Sequence, residues 1–267
     1  MPILQTLPVT IELCCGGIDD VRLAVKAKVD RIELNCGMAL SGLTPSACLT
    51  KASREVFSGP IVAMLRPREG GFCYSAAEFH QMLDETEWLL AEAMDGIATG
   101  FLTAEGTIDI ARCAIIRARF PKATLVFHKA FDATPNLTQS LQQLVDCGFD
   151  RVLTSGGMCT ASEGVDQLKQ LRKVAAGRIE IVAAGGIRAS NVRSVTARSG
   201  CRQIHSAVRE LAIDLSTRHN PSLSFALPGT PAGSYGQASE LQLTQLLEAV
   251  VDLRTGPTDA HISRVIV

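Results

Sequence analysis

VTIELCC at Val9–Cys15 and DRIELNC at Asp30–Cys36 carry the same tripeptide, Ile-Glu-Leu, on two short apolar runs. Strand interiors disfavour glutamate, and a buried carboxylate is costly unless it has a partner or stays wet. Matching carboxylates at Glu12 and Glu33 therefore need a wall that has a use for them. Side chains alternate faces along a strand. Ile11 and Leu13 share one face, and Glu12 and Cys14 the other. Ile32 and Leu34 likewise oppose Glu33 and Asn35. If the strands line a closed barrel, the aliphatic face packs on helices. Glu12, Cys14, Glu33 and Asn35 then point into the lumen, toward the C-terminal mouth where barrel enzymes place their chemistry.

Working outward, short β-branched runs recur at Thr10–Cys15, Arg31–Cys36, Pro60–Arg66, Gly96–Leu102, Thr124–Phe131, Arg151–Ser155, Ile179–Ala184 and Gln203–Ser206. Each is followed by a stretch of helical spacing. Ser75 and Glu78 form a capping-box signature ahead of one helix, Thr44-Pro45 suits another helix start, and Gly148 suits a helix stop. Eight strand–helix units predict a TIM (β/α)8 barrel, a closed parallel sheet with outer helices. The rival is an open doubly wound sheet, which usually carries a dinucleotide loop after its first strand. GGIDD at 16–20 is not G-x-G-x-x-G. The reading is one barrel domain over 1–254, with a long irregular loop at about 209–238 rich in Gly, Pro and Ser. Residues 255–267 are a C-terminal tail with no inferred partner.

The 267 residues carry 26 Lys+Arg against 27 Asp+Glu, a net charge of −1, so no general attraction to nucleic acid or an anionic membrane is expected. Aromatics make up only 4%, too few for a base-stacking surface. Nine cysteines are scattered with no Cys-x-x-Cys pair, which reads as reduced thiols in a cytoplasmic protein. The N-terminal stretch is a poor signal peptide, and no apolar run reaches membrane-spanning length.

The parity argument extends to other strands. It sends Val126 and His128 inward, groups Val62, Met64 and Arg66 on one face, and leaves Asp132 just past the fifth strand. The expected catalytic set is Glu12, Glu33, Arg66, His128 and Asp132. Two carboxylates sharing a proton could act as acid and base, with Arg66 keeping one ionised and His128 moving protons near neutrality. Glu12, Glu33 and His128 could equally ligate a divalent metal. A bland alternative is a buried ionic layer inside the barrel. Gly185 and Gly186 after the seventh strand, with His205 and Ser206 in the eighth, are the expected anion-binding residues, because loops after these strands often hold phosphate. The alternative there is a tight turn that needs glycine.

IELCC (Ile11–Cys15), RIELNC (Arg31–Cys36), GLTPS (Gly42–Ser46), LRPREGGFCYS (Leu65–Ser75), FHKAFD (Phe127–Asp132), RVLTSGG (Arg151–Gly157), AGGI (Ala184–Ile187) and IHSA (Ile204–Ala207) stand in one order. In that order the chain resembles the copper homeostasis protein CutC family. The resemblance implies a TIM barrel, a cytoplasmic location, homo-oligomers (a dimer or tetramer) and an association with Cu(I). Cys14 matches a family cysteine proposed to bind Cu(I). At the family's second-strand cysteine this chain has Asn35, with the thiol displaced to Cys36, and Lys129 stands where the family commonly has Arg. The metal expectation is therefore Cu(I) at Cys14 and Cys36. The residues alone point instead to a pocket for a small polar, anionic or phosphorylated metabolite, in an enzyme or in a non-catalytic binding protein.

Overall fold

The computed structural model describes residues 8–220 and 222–254. Eight parallel strands close into a barrel in sequence order: β1 (Thr10–Cys15), β2 (Arg31–Leu34), β3 (Ile61–Met64), β4 (Gly96–Thr99), β5 (Thr124–Phe127), β6 (Arg151–Thr154), β7 (Glu180–Ala183) and β8 (Gln203–Ser206). The ring is sealed where β1 pairs with β8, setting Glu12 against His205 in register. On the other side β1 sets Cys14 against Glu33 of β2. Both pairings follow from the sequence pattern, because parallel strands of one phase must bring like-facing residues to the same level.

The outer helices are α1 (Ile18–Ala27), α2 (Ala47–Val56), α3 (Ala76–Ala91), α4 (Ile110–Arg119), α5 (Leu137–Asp146), α6 (Val165–Ala175) and α7 (Val192–Ser199). The Ser75–Glu78 capping box is formed at α3. At α2 the cap is Ser46, whose hydroxyl accepts from the backbone N–H of Leu49, so Thr44-Pro45 precedes the helix and does not open it.

The strand phase read from the sequence is the one observed. Ile11, Leu13, Ile32, Leu34, Leu125 and Phe127 belong to the main core between sheet and helices. Val62, Met64, Ala98, Val126, Leu153, Val182 and Ala184 form a second, separate apolar cluster. The lumen is thus divided. Strands β3–β7 fill their side of it with these aliphatics, while β1, β2 and β8 supply Glu12, Arg31, Glu33 and His205.

Several boundaries differ from expectation. Six strands (β2–β7) end one to four residues earlier, because the chain turns into loops as soon as it reaches the mouth; His128–Phe131, for instance, is a 3-10 turn and its N-cap, not strand. The region read as one irregular loop contains an antiparallel pair, β9 (Arg209–Ile213) with β10 (Ser234–Ala238). The last helix is split into α8 (Glu240–Ala249) and α9 (Val251–Arg254). The expectation for 255–267 lies outside the described residues. No described helix is long and apolar enough to cross a membrane.

Candidate functional site

The polar half of the lumen is built around His205. Its Nδ1 lies 2.8 Å from Glu12 Oε1, and its Nε2 lies 3.9 Å from Glu33 Oε2. Glu12 also accepts from Arg31 Nε at 2.5 Å, and Arg31 Nη1 donates to Gln203 Oε1 at 3.2 Å. Glu12, Arg31 and Glu33 are buried, and Gln203 and His205 are partly buried. Burial alone would raise the Glu12 carboxyl, but the hydrogen bond from His205 and the Arg31 charge outweigh it and hold Glu12 down at about 2. Burial likewise disfavours a charged His205, yet Glu33, Cys14 and Glu12 together push it well above its ordinary value. Glu33 is raised by burial, with His205 opposing and Glu12 adding to the rise. Arg31 and His205 are thus cations flanking an ionised Glu12, and Glu33 is the carboxyl that holds a proton more readily.

Glu33 lies at the cavity wall with Cys14, Asn35 and Met38. Cys14 Sγ is 3.6 Å from Glu33 Oε2 and 3.9 Å from Met38 Sδ. Asn35 Nδ2 donates to Glu33 Oε2 at 3.0 Å and approaches Cys14 Sγ at 3.4 Å. Gly42, at φ +87°, allows this: a Cβ there would fall 2.4 Å from Asn35 Oδ1. Burial pushes the Cys14 thiol up to about 12, and the Glu33 charge adds to the rise. One ligand atom each from Cys14, Glu33 and His205 lie within 4.8 Å of one another, a spacing that could hold a metal ion.

The cavity has a volume of about 480 Å³. Its other wall is formed by Lys129, Gly185, Gly186, Arg188 and Ser206, with Met64, Leu153 and Ala184 from the apolar half and Phe72 and His128 beside them. Gly185 and Gly186 both have positive φ, +102° and +65°. Lys129 Nζ donates to Ser155 Oγ at 3.1 Å. Ser206 Oγ donates to the Ile187 carbonyl at 2.8 Å and fixes the loop after β7.

The expected residues are not all brought together. Glu33, Arg66, His128, Gly185, Gly186, His205, Ser206 and Cys14 line the cavity. Glu12 lies behind it, and His205 stands between the two glutamates, so they do not share a proton directly. Arg66 pairs with neither carboxylate. Its guanidinium donates to the carbonyls of Leu40 (2.7 Å), Gly42 (2.9 Å) and Gly70 (2.9 Å), because the loops after β2 and β3 converge there and leave their carbonyls unpaired. Asp132 is not on the cavity wall; it turns toward the loop after β6 and pairs with Lys129 Nζ at 3.6 Å. It accepts from Thr154 Oγ1, from the Ser155 N–H at 3.0 Å and from the Gly157 N–H at 2.9 Å. Cys36 donates to the Thr44 carbonyl at 3.0 Å and is not beside Cys14, since Cys36 pairs with Leu43 in an isolated bridge past the end of β2. Glu12, Glu33 and His128 do not cluster as a divalent-metal set; the cluster found contains Cys14 and His205 in place of Glu12 and His128.

Four residues escaped the sequence reading. Arg31 was legible: it lies two positions before Glu33 and so faces the lumen by the same parity. Lys129 and Arg188 sit on turns with no periodicity to orient them. Met38 belongs to a 3-10 turn, where nothing local signals a sulfur aimed at Cys14.

A family model described as the CutC family matches residues 9–210. The chain belongs to the CutC family. A CutC family protein of Treponema denticola is 40% identical over 217 residues, covering 81% of this chain and 88% of that protein. One from Chromobacterium violaceum is 30% identical over 240 residues, covering 90% and 97%. Among solved structures, the chain resembles one from Streptococcus agalactiae that bears a copper homeostasis name, CutC. That match has a TM-score of 0.71 and 30% identity, and it spans 74% of this chain and 97% of the other. The family's matched stretch includes every cavity residue named above and ends within β9.

Proposed function

We propose that the barrel mouth binds and acts on a small polar anion, a phosphorylated or carboxylated metabolite. The observation that carries this is the charge of the cavity wall. Lys129, Arg188 and a protonated His205 face a space in which Glu33 is the one acidic lining residue among the described residues. A surplus of cations in a concave, partly apolar site favours an anionic ligand. Gly185 and Gly186 carry no side chain into that rim, so the backbone can approach the anion closely. Glu33, raised by burial, and His205, held protonated by its neighbours, supply a proton acceptor and donor beside the bound molecule.

The test is titration with inorganic phosphate, followed by calorimetry and by amide shifts. Binding is expected at the loops after β5, β7 and β8. It should weaken about tenfold in a Lys129→Ala, Arg188→Ala double variant, in line with the loss of two charge-assisted contacts. Unchanged affinity in that variant, or no binding in the wild type, removes the reading. Turnover of any metabolite that survives Glu33→Gln would remove the assigned proton-transfer role.

The Cys14–Glu33–His205 cluster favours a second reading, Cu(I) binding. Cys14, with Met38 Sδ 3.9 Å away and the His205 imidazole, forms a donor set that fits a soft monovalent ion. Cys14, Met38 and His205 would hold it, and Cys14 and His205 would each give up a proton. Cys36 takes no part. Anaerobic Cu(I) titration separates the cases: Cys14→Ser should abolish binding, while Cys36→Ser should leave it unchanged. Equal stoichiometry and affinity in wild type and Cys14→Ser would end the copper reading.

A further inference from the structure

Three cavity residues carry a buried polar atom without a partner among the described residues, Asn35 Oδ1, Arg66 Nε and His128 Nε2, and of these His128 lies against the apolar part of the wall. It is 4% exposed and sits at the end of β5. Its Nδ1 accepts the backbone N–H of Ala130 at 3.2 Å. A nitrogen that accepts in this way carries no proton, so the ring is neutral and the proton is on Nε2. Burial and the nearby Arg66 charge act in the same direction and hold the ring down at about 3. Nε2 has no hydrogen-bond partner among the described residues.

The surroundings keep this N–H free. Gly100 makes room for the ring: a Cβ there would lie 2.4 Å from His128 Cε1. The Arg66 Nη atoms are committed to three carbonyls, while its Nε, like His128 Nε2, is a buried donor without a partner among the described residues. The Phe72 ring packs 4.9 Å from the imidazole, and Met64, Leu153 and Ala184 continue the wall as aliphatics. A buried donor without an acceptor is costly, and native proteins rarely leave one without a purpose. An uncharged oxygen suits this corner. A full carboxylate would be desolvated against the aliphatic part of this wall, even with the Arg66 charge nearby, and an ammonium or methylene offers no lone pair in the required place.

We propose that the ligand is an anionic carbonyl compound whose carbonyl oxygen accepts the hydrogen bond from His128 Nε2 while its phosphate or carboxylate lies at Lys129, Gly185–Gly186 and Arg188. This rests on the anion reading above and adds the second pole of the ligand. A neutral imidazole N–H against a carbonyl also binds an oxyanion that develops there more tightly than the ground-state oxygen.

A matched pair tests it. Dihydroxyacetone phosphate and sn-glycerol 3-phosphate differ only in carbonyl against carbinol, with inorganic phosphate as the common reference. The ketone is expected to bind about tenfold tighter than the alcohol, because the carbinol oxygen can accept the same bond only by burying its own O–H donor without an acceptor. The advantage should vanish in His128→Phe and return in part in His128→Gln, whose amide can donate. In the wild type, the Nε2 proton resonance of His128 should move downfield with the ketone and stay in place with phosphate. Equal affinities for ketone and alcohol, or a ketone advantage that survives His128→Phe, overturn the proposal while leaving the anion site standing. If none of the three compounds binds, the anion reading falls and this inference falls with it. The wild-type ratio and resonance decide the matter even if His128→Phe fails to fold.

Discussion

His205 Nδ1 and Glu12 Oε1 lie 2.8 Å apart across the seam that closes the barrel. Glu12 accepts from Arg31 at 2.5 Å on its other side, so the closure of the sheet is marked by a buried row of alternating charges. Removing one member leaves the others buried and uncompensated, which typically costs about 3–5 kcal/mol. Glu12→Gln is expected to destabilise the fold by that order in urea unfolding. Adding Arg31→Met should recover part of the loss. If the double variant is no more stable than the single one, the two groups are not coupled.

The His128 ring should appear in the pH dependence of stability. Its folded value is depressed to about 3 from 6.5. Between those values the unfolded chain binds the proton and the folded one does not, so stability from this group falls as pH falls from 6.5 toward 3. The slope is at most about 1.4 kcal/mol per pH unit. Glu12, lowered from 4.5 to about 2, acts in the same direction below pH 4.5. The difference in unfolding free energy between wild type and His128→Phe isolates the histidine. That difference should favour the wild type less at pH 4.5 than at pH 7. A difference independent of pH would show that the ring is not held neutral.

The fold was legible because the barrel depends on strand phase, and strand phase is written in alternation. Ile11, Leu13, Ile32 and Leu34 went outward as read, and Glu33 and His128 reached the cavity for the same reason. Partnership was not legible. Whether Arg66 meets a carboxylate or three carbonyls depends on how the loops at Leu40, Gly42 and Gly70 fold, and no periodicity governs loops. Asp132 looked catalytic because it follows β5 closely. The 3-10 turn at Lys129–Ala133 rotates it toward the loop after β6. Cys36 looked like a metal ligand because it follows Asn35, but the strand ends at Leu34 and the chain has already left the lumen.

Thiol reactivity should sort the cysteines by position, with half-buried Cys36, raised by burial, among the slow ones. Cys48, Cys73 and Cys159 are exposed, while Cys14, Cys15, Cys113 and Cys201 are buried. Cys147 is half-buried, and a hydrogen bond from Cys113 lowers it to about 7. Thiolate, not thiol, attacks an alkylating agent. Brief iodoacetamide treatment of the native protein at pH 7.5, read by peptide mass spectrometry, should label the three exposed sites and Cys147. Cys14, pushed up to about 12, should stay unmodified until the protein is unfolded. Native labelling of Cys14 at the rate of Cys48 would contradict its burial.

Asp132 organises the loop after β6 by accepting two backbone N–H groups and two hydroxyls. Asp132→Asn turns one acceptor into a donor that faces donors. The expected cost is about 1–3 kcal/mol in unfolding free energy. Asp132 is not on the cavity wall but pairs with Lys129 Nζ at 3.6 Å, so removing its charge frees a rim cation and phosphate affinity should hold or rise, not fall. A large loss of affinity at unchanged stability would place Asp132 at the ligand.

Gly100 sits where β4 gives way to its loop, with open backbone facing His128 and Ala130. A methyl there would come within 2.4 Å of His128 Cε1 and 2.8 Å of Ala130 Cβ. Neither neighbour has room to retreat, since His128 is fixed by the Ala130 N–H and Ala130 is fully buried. Overpacking of this kind costs about 1–3 kcal/mol. Gly100→Ala should therefore lower the thermal midpoint and shift the His128 ring resonances, while the exposed Gly71→Ala, which meets nothing within 4 Å, should do neither. If Gly100→Ala leaves the His128 resonances in place, the ring is not seated against β4 in the way that frees its Nε2 proton.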